Sequence, residues 1–414
     1  MAMALPVRRL SLPQQLYLSL YWFGLNFHWG ALLAVAIPAQ VLLFAPEADK
    51  GRALATVFAG GAFVALVVMP LAGALSDRSM SRFGRRRPFI VFGALLNSLA
   101  LLALGYAPTF ALFIVAYWFV QFSNNFGGSA YSGFIPDLVP PEQRGSASGM
   151  MGLMTMLGTI GAAIVAGVLM QRGQAIPLYL TIIAVLLVTM AVTVWKVQEE
   201  PLTHRPPFNL RQFLADFWVD PRRYPNFAWL FLARFVAGMG FYTLLNFLQF
   251  FLKDYLRIPR FTEATGAVTA TVVIGALGSA FAAGWLSDRI GRRAIVSVST
   301  LIMGTLCLVF LTAPSYHLML ALGVIFGVGY GGYISVDWAL GTDVLPSRAS
   351  AAKDLGIWGI SFTLPQVLAP LIGGPLLDAF NRMGTNRGYL VLMLMGAAYF
   401  LIASATIWKI RGVR

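Results

Sequence analysis

The sequence predicts an all-α membrane protein whose twelve transmembrane helices are grouped in two six-helix bundles, and three observations predict it. Of 414 residues, 58% are hydrophobic and only 11% charged, with mean hydropathy +0.74, too few polar groups to cover a water-facing surface. The apolar residues fall in runs of about twenty, the length that spans a roughly 30 Å hydrocarbon core. A charged loop motif occurs twice, at matching places in the two halves of the chain.

In chain order, the apolar runs fall at roughly 16–44, 52–76, 88–107, 109–136, 146–171 and 176–197, each bounded by charge, proline or glycine. These form the first bundle, 1–197, and Met1 to Gln15 reads as a cytoplasmic tail before an uncleaved first span. Residues 198–225 are the polar linker. Within it Leu210, Phe213, Leu214, Phe217 and Trp218 recur at helical spacing, away from Arg211, Gln212 and Asp216, as in an amphipathic helix lying on the membrane surface. The second bundle, 226–414, has runs at roughly 226–252, 262–287, 294–313, 316–342, 354–378 and 388–408. Glycines 145, 149, 152, 158, 161 and 167 in the fifth run, and Pro365, Pro370, Gly373, Gly374 and Pro375 in the eleventh, predict close packing and kinks.

The net charge of +14 could attract nucleic acid, but its distribution argues against that. With both termini cytoplasmic, the tails and cytoplasmic loops hold 21 of the 30 Lys and Arg, the opposite loops hold 8, and Arg234 lies inside a span. This excess obeys the positive-inside rule. The charge therefore encodes topology: a multi-pass protein of the plasma membrane (the inner membrane in a bacterium), with the lipid bilayer and not nucleic acid as its surroundings. The single cysteine, Cys307, excludes an internal disulfide.

The first copy of the loop motif reads Gly73-Ala74-Leu75-Ser76-Asp77-Arg78, then Arg82-Phe83-Gly84-Arg85-Arg86-Arg87-Pro88. The second reads Gly284-Trp285-Leu286-Ser287-Asp288-Arg289-Ile290-Gly291-Arg292-Arg293. A looser echo pairs Pro136-Asp137 and Pro140 with Thr342-Asp343 and Pro346. The doubled pattern resembles the loop signature of the major facilitator superfamily. That resemblance implies the two-bundle major facilitator fold, a central cavity and rocking between inward-open and outward-open states. It also implies a cytoplasmic gate, for which Asp77, Arg78, Arg85, Arg86, Asp137, Asp288, Arg289, Arg292 and Arg293 are the candidates. Arg82 and Arg87 are expected to do little more than anchor the loop to anionic lipid.

The first copy, with Trp118-Phe119-Val120-Gln121-Phe122-Ser123-Asn124-Asn125, is more particularly similar to the glycoside and sugar–cation symporters, including the plant sucrose transporters. The similarity covers about the first 150 residues. It breaks at two places. Where that family carries a proton-coupling aspartate and a substrate-binding arginine, this chain has Gln121 and Ser132. A glutamine cannot exchange a proton in the relevant range, so that coupling route is not carried over.

A charge inside a span is costly and marks a functional candidate. Arg234 and Asp337 are the two that lie well inside spans, at similar depth, and are expected to pair. A static ion pair explains them as well as a substrate role does. His28, about twelve residues into the first span, is a proton-coupling candidate with Asp337, or simply a hydrogen-bonding group between helices. Polar stripes accompany them: Gln121, Asn125, Gly128 and Ser132 on the fourth span, Arg234, Tyr242, Asn246 and Gln249 on the seventh, Tyr330, Tyr333 and Asp337 on the tenth. Such stripes either glue helices or line a water-filled cavity. The substrate-binding candidates are Asn26, His28, Gln121, Asn124, Asn125, Arg234, Tyr242, Asn246, Gln249, Tyr333 and Asp337.

The sequence contains no HExxH, Walker or GxSxG motif, so no enzyme, metal or cofactor is expected. The leading expectation is a monomeric secondary transporter, a proton-coupled symporter of a small polar solute such as a sugar or glycoside. Proton-coupled efflux of amphipathic compounds, and a non-transporting assembly protein on the same fold, are the alternatives.

Overall fold

The computed structural model describes residues 9–199, 201–202, 220–312, 315–344 and 351–411. The amphipathic helix expected around Leu210–Trp218 lies outside them. Twelve long helices run through the described residues. They are α1 (Leu12–Phe44), α2 (Lys50–Ser76), α3 (Arg87–Gly105), α4 (Phe110–Ser132), α5 (Arg144–Gln171) and α6 (Ala175–Lys196). After the linker come α7 (Pro225–Tyr255), α8 (Phe261–Ile290), α9 (Arg292–Phe310), α10 (Tyr316–Asp343), α11 (Ala351–Met383) and α12 (Arg387–Ile407). Helices are the economical answer to a solvent without hydrogen bonds, because each satisfies its own backbone.

Local chemistry sets several of the ends. α1 begins ahead of its apolar run because Ser11 and Gln14 form a capping box, the Gln14 side chain accepting the Ser11 N–H at 2.8 Å. α1 then changes to a π-turn over Leu32–Ala36, one turn before Pro38, whose ring and missing N–H disturb the regular ladder. α7 finishes in a second π-turn, Phe251–Tyr255. Eleven of the helices are long and apolar enough to cross a membrane. The exception is α4, whose 23 residues carry Gln121, Ser123, Asn124 and Asn125 at their centre.

The chain forms two compact units: Met1–Leu32 with Gly60–Pro207, and Leu33–Ala59 with Phe208–Arg414. In the first, α1 packs on α5 and α6, and α3 on α4 and α6. In the second, α7 packs on α11 and α12, and α9 on α10 and α12. The same four pairings recur six helices apart, so the duplication read from the loop motif is also a duplication of packing. The two motif copies share backbone geometry as well: Gly84 and Gly291 both sit in the positive-φ region, at 102° and 101°. The compact units divide differently from the linker in one segment, Leu33–Ala59, which packs with the second half of the chain.

Glycine placement follows contact rather than frequency. A side chain at Gly327 would strike the Val272 carbonyl and one at Gly275 the Val324 carbonyl, so α8 and α10 meet backbone to backbone. In α5, Gly158 backs onto the Phe23 carbonyl of α1, whereas Gly145, Gly149 and Gly152 face open space. The close packing expected of the whole α5 series therefore holds only where that helix crosses α1.

Gly327→Leu should overpack the α8–α10 seam at a cost of about 1–3 kcal/mol. Gly278→Leu on α8, which meets nothing within 4 Å, should be tolerated. Thermal unfolding of the two purified variants in detergent, read against the parent, checks the difference.

Candidate functional site

Three polar groups interrupt the apolar helices, and each is built within one compact unit. The deepest is in the second. Arg234 of α7 and Asp337 of α10 form the ion pair that their shared depth predicts, with 8% and 2% of their surfaces exposed. Burying two charges is repaid only when the geometry is good and further contacts assist. Here the guanidinium carbon lies 3.3 Å from the ring centre of Trp358 on α11 and 5.2 Å from that of Phe362. The aromatic faces supply cation–π stabilisation in place of lost hydration.

Around this pair the aromatics are ordered. Phe241 stacks on Tyr330 with centroids 4.4 Å apart, and the Tyr242 hydroxyl accepts a hydrogen bond from Gln366 at 2.9 Å. Two buried atoms in the group, Arg234 Nε and Tyr333 Oη, have no hydrogen-bond partner among the described residues. Asn246 and Gln249 lie buried further along α7, with Gln249 donating to Thr262 of α8 at 3.3 Å while its Oε1 is left without a partner.

The second group lies in the first unit. His28 is fully buried on α1, edge-on to Trp29, with Nδ1 3.5 Å from the Asn124 amide nitrogen of α4. Its Nε2 has no partner among the described residues. Gln121 donates to the Tyr117 hydroxyl at 2.8 Å and accepts from Asn125 at 2.9 Å, so these amides are knitted along α4 itself. Asn26 reaches Thr155 of α5 at 3.3 Å and the Trp22 carbonyl at 2.8 Å. Ser132 is exposed and donates to the Ser129 carbonyl on its own helix.

The third group is the arginine-rich loop between α2 and α3. Arg86, 6% exposed, meets Asp77 at 2.6 Å and Asp137 at 2.5 Å, while Arg85 also pairs with Asp137. Arg78 is half-buried beside them. Glu199, just past α6, accepts the backbone N–H of Arg86 at 2.9 Å and of Arg87 at 3.3 Å and lies 3.7 Å from Arg85. It thereby caps the first turn of α3, where a carboxylate also meets the positive end of the helix dipole. Arg87 donates to the Val197 carbonyl, so it does more than the lipid anchoring expected of it, whereas Arg82 only covers the Phe83 ring.

Among the described residues, the second copy of the motif makes other contacts. Asp288 is exposed and forms no ion pair among the described residues. Arg292 donates to the Ala339 carbonyl at 2.9 Å, Arg293 to the Ile410 carbonyl at 2.7 Å, and Arg289 covers Trp285. Cations at carbonyl ends oppose the helix dipole favourably.

Sequence reasoning missed Glu199 and Trp358. The signal for Glu199 was an acidic residue directly after a span and across from five arginines. For Trp358 it was an aromatic on the span whose helix packs against α7.

The chain is similar to transport proteins that act on different compounds. A family model described as Major Facilitator Superfamily matches residues 53–352. The multi-drug resistance efflux pump PmrA of Streptococcus pneumoniae is 21% identical, over 96% of this chain and 98% of that protein. The sucrose transport protein SUT5 of rice (Oryza sativa) is 22% identical, over 94% and 86%. Among solved structures, the nucleoside transporter NupG aligns with TM-score 0.72 at 14% identity, over 97% of this chain and all of that one. A bacterial homologue of the human lysosomal transporter Spinster, inward-facing and occupied, aligns with TM-score 0.72 at 18% identity, over 99% and 98%.

Asp337→Asn should leave Arg234 buried without a counter-charge, a loss of about 3–5 kcal/mol, and the double variant Arg234→Met/Asp337→Leu should recover most of it. Melting temperatures of the three proteins test this. Arg86→Ala should speed amide exchange across residues 77–87, by leaving Asp77 and Asp137 without their common cation. Arg82→Ala should not.

Proposed function

The chain belongs to the Major Facilitator Superfamily and is an alternating-access transporter, and we propose that it moves a small polar solute of the sugar or glycoside class together with protons. The observation that carries this reading is the pair of buried donors without partners beside the ion pair, Arg234 Nε and Tyr333 Oη. A buried polar atom left bare costs about 1–3 kcal/mol. A hydroxyl-bearing solute supplies the missing partners, and the aromatic rings around them suit the apolar faces of a sugar. Asn246, Gln249 and Tyr242 extend that hydrogen-bonding surface along α7, and Asn26, Gln121, Asn124 and Asn125 provide a second set in the first unit.

His28 is assigned the proton. It is fully buried, its Nε2 has no hydrogen-bond partner among the described residues, and it stands beside α4, where Gln121 takes the place of the aspartate of the sugar symporters. Asp337 is the second candidate, since releasing Arg234 would free the guanidinium for the solute. The arginine-rich loops hold the cytoplasmic gate, both termini are cytoplasmic, and the protein works as a monomer in the plasma membrane.

A second reading is export of amphipathic compounds. It is favoured by the Phe241, Tyr242, Tyr330 and Phe362 cluster, which presents more ring than hydrogen-bonding surface, and by the full-length similarity to a multi-drug efflux pump.

Proteoliposomes with an imposed pH gradient separate the readings. Gradient-stimulated accumulation of a sugar or glycoside is expected, and His28→Ala should abolish the stimulation while leaving downhill exchange of the same solute. Sugar uptake that still follows the gradient in His28→Ala would remove His28 as the coupling site. Extrusion of amphipathic cations with no sugar flux would establish the second reading instead.

A further inference from the structure

The two halves share a second, shorter repeat at the ends of their sixth helices. Thr193-Val194-Trp195-Lys196-Val197 closes α6, and Thr406-Ile407-Trp408-Lys409-Ile410 closes α12. Threonine, tryptophan and lysine match, and the two remaining places hold β-branched residues in both copies. The solute site uses none of these positions.

The copies are also built alike, each within its own compact unit. Arg87, at the start of α3, donates to the carbonyl of Val197. Arg293, in the first turn of α9, donates to the carbonyl of Ile410 at 2.7 Å. These two carbonyls occupy the same place in the repeat. The chain beyond them is fixed as well. In the first unit Glu199 accepts the Arg86 N–H at 2.9 Å. In the second, the Asn226 side chain takes both backbone groups of Arg411, at 2.8 and 3.0 Å. Helix ends ordinarily fray, but these two are held in one conformation.

The side chains presented by this frame are a tryptophan and a lysine, both exposed. Trp195 keeps 75% of its surface open and Trp408 55%, although rings of that size favour burial. Each continues an exposed apolar stripe of its helix, through Ala184, Val188 and Ala191 on α6 and through Leu394, Leu401 and Ala405 on α12. The indoles therefore lie where the apolar surface ends and the charged loops begin, the depth at which tryptophan is enriched. Lys196 Nζ stands 4.2 Å from the ring centre of Trp195, and the Arg293 guanidinium 5.7 Å from that of Trp408. Trp408 is fixed further by its Nε1–H, which Ser297 of α9 accepts at 3.1 Å. Glu199 and Glu200 follow the first copy, and Glu199 is engaged by Arg85 and the α3 backbone. The second copy lies in a stretch, Arg387 to Arg414, that contains no acid.

We propose that each repeat is a binding site for one anionic phospholipid, its lysine meeting the headgroup phosphate and its tryptophan the start of the acyl chains. A free phosphate gains nothing from the ring, and a zwitterionic lipid brings an ammonium that the lysine repels. An anionic lipid satisfies both side chains. Arg87 and Arg293 are positioning residues, because their guanidinium groups engage the carbonyls that set the tryptophan and lysine in place. Two lipids so seated tie the last helix of each unit to the headgroup layer. The inference depends neither on the solute nor on how the two units meet.

The full chain, purified in detergent and titrated with phosphatidylglycerol or phosphatidylcholine, tests this by native mass spectrometry, which counts the lipids held by folded protein. The parent should hold two phosphatidylglycerols at concentrations about fivefold or more below those needed for phosphatidylcholine, the worth of one basic residue at an anionic surface. Trp195→Ala/Lys196→Gln should lose one of them, Trp408→Ala/Lys409→Gln the other, and the fourfold variant both. Lys196→Arg/Lys409→Arg keeps the charges and should keep both lipids. Arg172→Gln removes an exposed cation at the end of α5 with no tryptophan beside it, and should change nothing. The substituted side chains are exposed, so the variants should fold.

Equal retention of the two lipids would overturn the proposal. So would two phosphatidylglycerols that survive in the fourfold variant, since they would be bound elsewhere. Displacement of the lipid by an equal concentration of inorganic phosphate would overturn it too, by showing a site for phosphate alone.

Discussion

Lipid offers no hydrogen bonds, and every polar atom in this chain is placed by that constraint. Backbone groups satisfy themselves in twelve helices. Charged side chains withdraw to the ends, where 29 of the 30 Lys and Arg are found. The exception, Arg234, exists only because Asp337 neutralises it and Trp358 covers it. The interior is therefore not uniformly greasy. It is an apolar frame around a few polar groups that the frame makes expensive and so keeps few.

The two halves use one plan with unequal chemistry. The same helix pairings recur, and Gly84 and Gly291 turn the backbone alike. Among the described residues, the first loop is an interlocked set of carboxylates and arginines, with Glu199 added from beyond α6, while the arginines of the second reach carbonyl ends and cover a tryptophan. Polar groups diverge in the same way: amides and a histidine in the first unit, a charge pair with aromatics in the second.

Much of the fold was legible because membrane helices announce themselves through length and composition. The observed helices begin and end close to the apolar runs, and the largest overruns have local causes, such as the Ser11 cap that starts α1 early. The Arg234–Asp337 pair was legible for the same reason: two opposite charges at one depth in lipid have little choice but each other. Glu199 was not, because a carboxylate beyond a span has many possible partners and its contacts are over a hundred residues away. The α5 glycines show the opposite failure. Their repeat reads as one packed face, but only the stretch that crosses α1 is packed.

The sequence alone determined the solvent, the number of helices and the family, since these follow from hydrophobic length and a repeated motif, all properties of neighbouring residues. Tertiary structure decided which polar groups share a site and where the chain divides. That Leu33–Ala59 packs with the second half, held by Asp254 and Asp378, follows from contacts between residues some two to three hundred positions apart. No local pattern encodes such pairings. They depend on which helix ends meet, and that is settled only when the bundle packs.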